Sequence, residues 1–282
     1  MDEKYVDKIL DGRLVAKTME AEISRRIADR VAAGEKAPVL ATIIVGGDPA
    51  SVTYVRMKGN ACRRVGIEPR KVELKEETTT EELLAVIDEL NADEDVYGIL
   101  LQHPVPRGID ERKCFDRIAP EKDVDGVGVN SLGKTALGLG GYRAATAQAI
   151  MNILSFYKIP LEGKEAVVIG RSPILGKPVA MLLLNANCTV TVCHTRTRDI
   201  GDVIRRADIV VAACGVPRFV RPEWVKTGAV VIDAGYNPGN IGDVDEGAFE
   251  NASLMTPVPG GVGPVTIATL MQQTTDSFFT GN

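Results

Sequence analysis

Tyr54 and Lys58 stand four residues apart in the stretch SVTYVRMK, so on a helix an aromatic ring and an ammonium project from one face. Taken alone the spacing reads as a surface pair, with a lysine snorkelling on a half-buried helix. Gln102 closes VYGILLQ at the carboxyl tip of an apolar run, where its amide can donate and accept at once and so steady Lys58. Asp123 and Asp125, in the glycine-rich turn PEKDVDGVGVN, offer carboxylates to a ligand's amino and ring N–H groups, or simply face solvent. A lysine of ordinary pKa, about 10.4, is charged at neutral pH, so a base role for Lys58 requires a depressed pKa.

A second constellation lies in the other half. The order AVVIG, RSPILGK, PVAMLLLNAN reads as strand, loop and helix, an arrangement that presents the free N–H groups of a helix start to a phosphate. Gly170 and Gly176 bracket the loop, with Arg171 and Ser172 inside it, but the spacing is not G-x-G-x-x-G, and an ordinary strand–helix turn is the alternative. An NAD site commonly places an acid at the end of the next strand. Here CTVTVCHTRTRD has none before Asp199. Thr195, Arg196 and Arg198 follow His194 instead, and with Arg171 they supply hydroxyl and guanidinium donors suited to a 2′-phosphate, which favours NADP.

The elements that must position these residues follow a β-α-β pattern. PVLATIIV, KVEL and VYGILLQ read as strands, the Tyr54 segment and TTTEELLAVIDEL as helices, the latter with a Thr79/Glu82 capping box. After the glycine-dense LGKTALGLGGYRAATA the pattern restarts with EAVVIG, a helix from Pro178, CTVTVCH, a helix near Asp199 to Ala207, DIVVAAC and AVVIDAG, and ends in the helical VTIATLMQQTTDSFF. Such alternation builds parallel sheets with sites at the carboxyl ends of the strands. At 282 residues the chain is long enough for two cores. The expectation is two α/β domains, the second a Rossmann-like nucleotide-binding domain, with the active cleft between them.

Composition sets further bounds. With 45% hydrophobic and 25% charged residues and no apolar run near the roughly 18 residues of a membrane span, the chain reads as globular and not membrane-crossing. Net charge of −5 speaks against a nucleic-acid surface. MDEKYVDKIL has neither secretory nor organelle-import character, which points to the cytoplasm. Cys62, Cys114, Cys188, Cys193 and Cys214 form no C-x-x-C pair and read as buried thiols, and no metal site is expected.

Six ordered stretches, SVTYVRMK, GILLQHPVP, KDVDG, GRSPILGKP, TVCHTRT and PVPGGVGPVT, resemble the bifunctional methylenetetrahydrofolate dehydrogenase/cyclohydrolase family, and the match runs over nearly the whole chain. The resemblance implies a catalytic group of Tyr54, Lys58, Gln102 and Asp125. In it Tyr54 stacks on the pterin, Lys58 and Gln102 work on the one-carbon centre, Asp125 holds the pterin's polar edge, and Pro259 and Gly263 lie beside the folate. The cofactor set it implies is Gly170, Arg171, Ser172, Gly176, His194, Thr195, Arg196, Gly215 and Tyr236. It further implies NADP-dependent oxidation of 5,10-methylenetetrahydrofolate, hydrolysis of the methenyl product to 10-formyltetrahydrofolate, and a homodimer joined through the second domain's sheet edge or a neighbouring helix.

The expected folate-binding domain is 1–143, joined by the final helix 266–282, and the NADP-binding domain is 144–265. Leu132 to Gly141 is expected to be a hinge. Three departures from the family pattern stand out: YRAATAQAI where many members read P-C-T-P-x-G-I, VDGVGVN where many read V-D-G-F-H-P-x-N, and Thr195 for a common serine. The alternatives are a member with weak or lost cyclohydrolase activity, a different NADP-dependent oxidoreductase acting on a small carbonyl, and a non-catalytic nucleotide-binding protein.

Overall fold

A computed structural model describes residues 3–281. After a 3-10 turn over Glu3–Lys8, the chain forms helix α1 (Gly12–Ala32), strand β1 (Val39–Val45), α2 (Pro49–Val65), β2 (Glu68–Leu74), α3 (Thr80–Ala92) and β3 (Val96–Leu101). Three helices follow, α4 (Glu111–Arg117), α5 (Val129–Ala136) and α6 (Ala145–Phe156). Then come β4 (Glu165–Ile169), α7 (Gly176–Asn185), β5 (Thr189–Cys193), α8 (Ile200–Ile204), β6 (Ile209–Ala212), β7 (Val230–Asp233), β8 (Leu254–Met255) and α9 (Val262–Thr280).

These elements make two α/β units, each with a wholly parallel sheet. One comprises Lys17–Lys134, Leu139–Ala145 and Ile267 onward, with strand order β2-β1-β3. Its core gathers Ile23 and Ile27 of α1, Leu40 of β1, Ala61, Cys62 and Val65 of α2, Leu100 of β3, and Leu270 and Met271 of α9. Every residue of central β1 is buried, as a strand covered on both faces by helices requires.

The other unit comprises the residues up to Ala16, Thr135–Gly138 and Thr146–Thr266, with strand order β5-β4-β6-β7-β8. Val167, Ile169, Val210, Ala212 and Val231 form the middle of its core.

This division departs from the sequence expectation at the amino terminus, which groups with the five-stranded unit instead of with 17–134. The cause is local bonding. Ile9 bridges Met255 in parallel, Leu10 N donates to Met255 O at 2.9 Å, and the Tyr5 ring stacks on Phe249 with centroids 5.1 Å apart. The glycine-dense segment also differs from a hinge along its whole length, because α5 runs through Leu132 and Gly133 to Ala136; only Gly138 and Gly141 have positive φ. Among the described residues no helix is long and apolar enough to cross a membrane.

Candidate active site

Lys58 owes its position to a well-terminated helix. Asp48 caps α2 by accepting from Ser51 N at 2.8 Å, Pro49 fits the first turn, where an N–H is dispensable, and Gly66 ends the helix in the left-handed conformation. Tyr54 and Lys58 then fall one turn apart on one face, both half-buried. At the carboxyl end of β3, Gln102 is fixed by donation of its backbone N–H to Ile43 O at 2.8 Å. Its side chain is 8% exposed and fully engaged: Nε2 donates to His103 O at 2.7 Å, and Oε1 accepts from Lys58 Nζ at 3.0 Å. That orientation offers the ammonium an acceptor and leaves its other donor directions for a ligand.

Asp125 completes the cluster. Burial lowers the Lys58 pKa, against the opposing pull of Asp125, and burial raises the Asp125 carboxyl, against Lys58 and His103. Lysine and carboxyl are therefore both biased toward their neutral forms, and each moderates the other. The backbone of Asp125 is anchored where its carbonyl accepts from Ala145 N at 3.0 Å. Gly126 next to it has φ +65°, and a Cβ there would lie 2.2 Å from the Arg143 carbonyl carbon, so only glycine lets the two segments close.

Asp123, which the sequence leaves open between a ligand carboxylate and a solvated turn, serves the turn. Its oxygens accept from Val127 N at 3.1 Å, Gly128 N at 3.0 Å and Ser131 Oγ at 2.6 Å, which leaves little capacity for a ligand, and burial pushes it up to about 6. Gln273 of α9 was not foreseen. It donates to Val124 O at 2.6 Å and Arg143 O at 3.0 Å and accepts from Arg143 N at 2.9 Å, clamping the two segments that depart from the family pattern. A lone glutamine in a helical run gives no sequence signal of that role.

The five-stranded unit carries the other predicted set. Its chain order reverses beside β4, which has β5 on one side and β6 on the other, so the crevice outside the carboxyl ends of these strands is where a dinucleotide fits. Gly170 ends β4 at φ +127°, and a Cβ on it would lie 2.1 Å from Ala213 O. A Cβ on Gly176 would lie 2.4 Å from Gly170 O. Both glycines are required for the loop's closure and leave a cradle at the start of α7. Ser172 Oγ accepts from Leu175 N at 3.2 Å and Gly176 N at 3.3 Å, while Arg171 is exposed beside it.

After β5, His194 Nδ1 accepts from Arg196 N at 3.1 Å, shaping a turn on which Thr195, Arg196 and Arg198 are exposed. Gly215, at φ +66°, follows β6, and Tyr236, 58% exposed with its hydroxyl donating to Asn240 Oδ1 at 2.8 Å, follows β7. The donors thus ring the carboxyl edge of one sheet, and they fit a phosphorylated dinucleotide. Pro259 and Gly263 belong to this unit too, in the loop before α9 and in its first turn. Tyr54, Lys58, Gln102 and Asp125 are in the three-stranded unit.

Cys62, Cys114, Cys188 and Cys193 are buried and Cys214 is half-buried, and burial pushes Cys62 and Cys214 up to about 12, the range of inert thiols. Among the described residues no group of three or more His, Cys, Asp or Glu side chains is placed to hold a metal.

Residues 10–125 match the family profile for the tetrahydrofolate dehydrogenase/cyclohydrolase catalytic domain, and residues 144–280 match that for its NAD(P)-binding domain. The chain is 60% identical over 271 residues to a bifunctional protein FolD of Acidobacterium capsulatum, covering 95% of this chain and 96% of that one. It is similar in structure to the bifunctional FolD dehydrogenase/cyclohydrolase of Campylobacter jejuni, with TM-score 0.94, 42% identity, and 96% and 98% of the two chains covered. A Trypanosoma brucei FolD enzyme complexed with NADP cofactor and inhibitor superposes with TM-score 0.92 at 39% identity, covering 96% of this chain and 97% of that one.

Proposed function

Since this chain belongs to the tetrahydrofolate dehydrogenase/cyclohydrolase family, we propose that it oxidises 5,10-methylenetetrahydrofolate with NADP and hydrolyses the resulting 5,10-methenyl cation to 10-formyltetrahydrofolate. The observation that carries this reading is the hydrogen-bonded pair of Lys58 and Gln102 with Asp125 beside it: a helix lysine kept below its ordinary pKa and held by a glutamine at a strand's carboxyl end.

The three-stranded unit is the folate-binding catalytic domain and the five-stranded unit the NADP-binding domain. Tyr54 stacks on the pterin and Asp125 accepts from its polar edge. Pro259 and Gly263 contact the folate. NADP, when bound, accepts the hydride that leaves the methylene bridge. Gly170, Ser172 and Gly176 receive its pyrophosphate, Arg171, Thr195 and Arg196 with His194 its 2′-phosphate, and Gly215 and Tyr236 the remainder.

The oxidation moves no proton, so there the protein's task is to orient the substrate. Hydrolysis differs. Water adds to the methenyl carbon and loses both of its protons as its oxygen becomes the formyl carbonyl; the bond from that carbon to N5 breaks as N5 takes one of them up, so one proton is released overall. Lys58, neutral in part because it is buried and next to a cationic substrate, takes the proton from water, and Gln102 holds its Nζ in place.

The protein is a cytoplasmic homodimer. Support for the dimer comes from β5, an outer strand of its sheet with Thr189, Thr191 and Val192 exposed and no charged side chain to discourage pairing. The test of the reaction is to supply 5,10-methylenetetrahydrofolate and NADP to the purified chain. NADPH and 10-formyltetrahydrofolate should accumulate in equal amounts; NADPH accompanied by methenyltetrahydrofolate that clears no faster than in buffer identifies a dehydrogenase without the hydrolase.

A further inference from the structure

Two buried carboxyl groups at the carboxyl edge of the five-stranded sheet have no place in the sequence expectations. Asp233 ends β7 and is 2% exposed; Asp243, on the return of the following loop, is 0% exposed. Asp243 Oδ2 accepts from Cys214 N and Gly215 N, both at 2.8 Å, and its Oδ1 accepts from Asn237 Nδ2 at 3.0 Å. One side chain therefore ties the turn after β6 to the turn after β7. The loop is held from below as well: Asp233 Oδ1 accepts from Gly235 N and Asp243 N at 2.9 Å each, and Oδ2 from Val244 N at 3.0 Å. The packing leaves no slack. A Cβ on Gly235 would lie 2.2 Å from the Asp243 carboxyl carbon, and one on Gly242 would lie 1.9 Å from Asp233 Oδ2.

We propose that Asp243 is a positioning residue for the nicotinamide half of NADP, acting through the turns that carry Gly215 and Tyr236. The assignment of halves follows from topology. A dinucleotide straddles the place where strand order reverses, with the ribose recognised after the second strand of the first half-unit. Here that side is β4 and β5, where Arg171, Thr195 and Arg196 stand, so the nicotinamide half extends over β6 and β7. The inference rests on the reading of this unit as the NADP site, and it makes no demand on the folate chemistry.

Asp243 Oδ2 accepts from two backbone N–H groups of the turn after β6 and its Oδ1 from the Asn237 amide of the turn after β7, and replacement by asparagine turns one carboxyl oxygen into a donor. Which atom occupies the Oδ2 position, the turn after β6 or that after β7 loses its acceptor.

The experiment compares wild type with Asp243→Asn in direct binding of two ligands, NADPH and 2′,5′-ADP, which retains the adenosine and 2′-phosphate but lacks the nicotinamide. Asp243→Asn should weaken NADPH by about tenfold or more, as expected for loss of a hydrogen bond to a charged group, and leave 2′,5′-ADP within about twofold. Asn237→Ala, which removes one donor to Asp243 and leaves both aspartates in place, should shift NADPH in the same direction by a smaller factor and provides the comparison if Asp243→Asn does not fold. Equal weakening of both ligands by the folded variants, or NADPH affinity unchanged in them, overturns the proposal. Binding decides it even in a protein that binds NADPH and fails to oxidise methylenetetrahydrofolate, a result that would instead overturn the proposed reaction.

Discussion

The work asked of Lys58 depends on which protonation state its surroundings favour. Burial lowers its pKa from 10.5, while Asp125 pulls the other way. A lysine is a base only when neutral, so hydrolysis of methenyltetrahydrofolate at saturation should rise with pH through the Lys58 pKa, with a midpoint below 10.5. Replacing Asp125 by asparagine removes the influence that favours the charged form, so the midpoint of kcat should move to lower pH. A rate–pH profile of Asp125→Asn with its midpoint at or above that of wild type contradicts this coupling. The spacing of Tyr54 and Lys58 was legible from sequence because helical period alone puts them on one face. What Gln102 does was legible only as a possibility, since its bond to Lys58 spans 44 residues. Asp123 stayed open between its two roles for a physical reason: from sequence, a carboxylate that binds its own turn looks the same as one that waits for a ligand.

Strands and helices with strong patterns were the readable elements. The buried runs of β1, β3, β4, β6 and β7 and the capping box of α3 all appear where the residues put them, the box closed by Thr79 Oγ1 accepting from Glu82 N at 3.2 Å and Thr79 N donating to Glu82 Oε2 at 2.8 Å. Helix α1 escaped notice although it has 21 residues, because Arg, Lys, Glu and Asp crowd the sequence around the widely spaced Val15, Ile23 and Ile27 that it buries. Strand β8, two residues long, has too little pattern to detect.

The loop between β4 and α7 was legible from context and not from glycine spacing, and its exposed Arg171 carries a prediction that belongs to the element. If Arg171 pairs with the 2′-phosphate as proposed, Arg171→Ala should weaken NADP by about tenfold or more and NAD much less, because the guanidinium then has nothing to pair with in NAD. Steady-state KM values for both cofactors check this, and equal increases would assign Arg171 to the shared pyrophosphate.

At the scale of the molecule, two sheets of different size lie in two units, neither of which is continuous in sequence. The amino terminus belongs with the later unit because it adds to the edge beyond β8, a long-range pairing that no local pattern encodes. The proposed dimer uses the opposite edge. With β5 outermost and uncharged, light scattering at micromolar concentration should give about twice the 30.2 kDa chain mass, and Val192→Lys should shift it toward the single-chain value. A wild-type mass of one chain in an active preparation contradicts the dimer.

The proposed division of chemistries makes Lys58→Met the most direct measurement. Methionine keeps the length and helix propensity of lysine but cannot take a proton. Hydrolysis of added methenyltetrahydrofolate should fall by more than about a hundredfold, the scale of general base catalysis, while NADPH binding stays at the wild-type level. A folded Lys58→Met protein that hydrolyses methenyltetrahydrofolate at the wild-type rate would contradict the account.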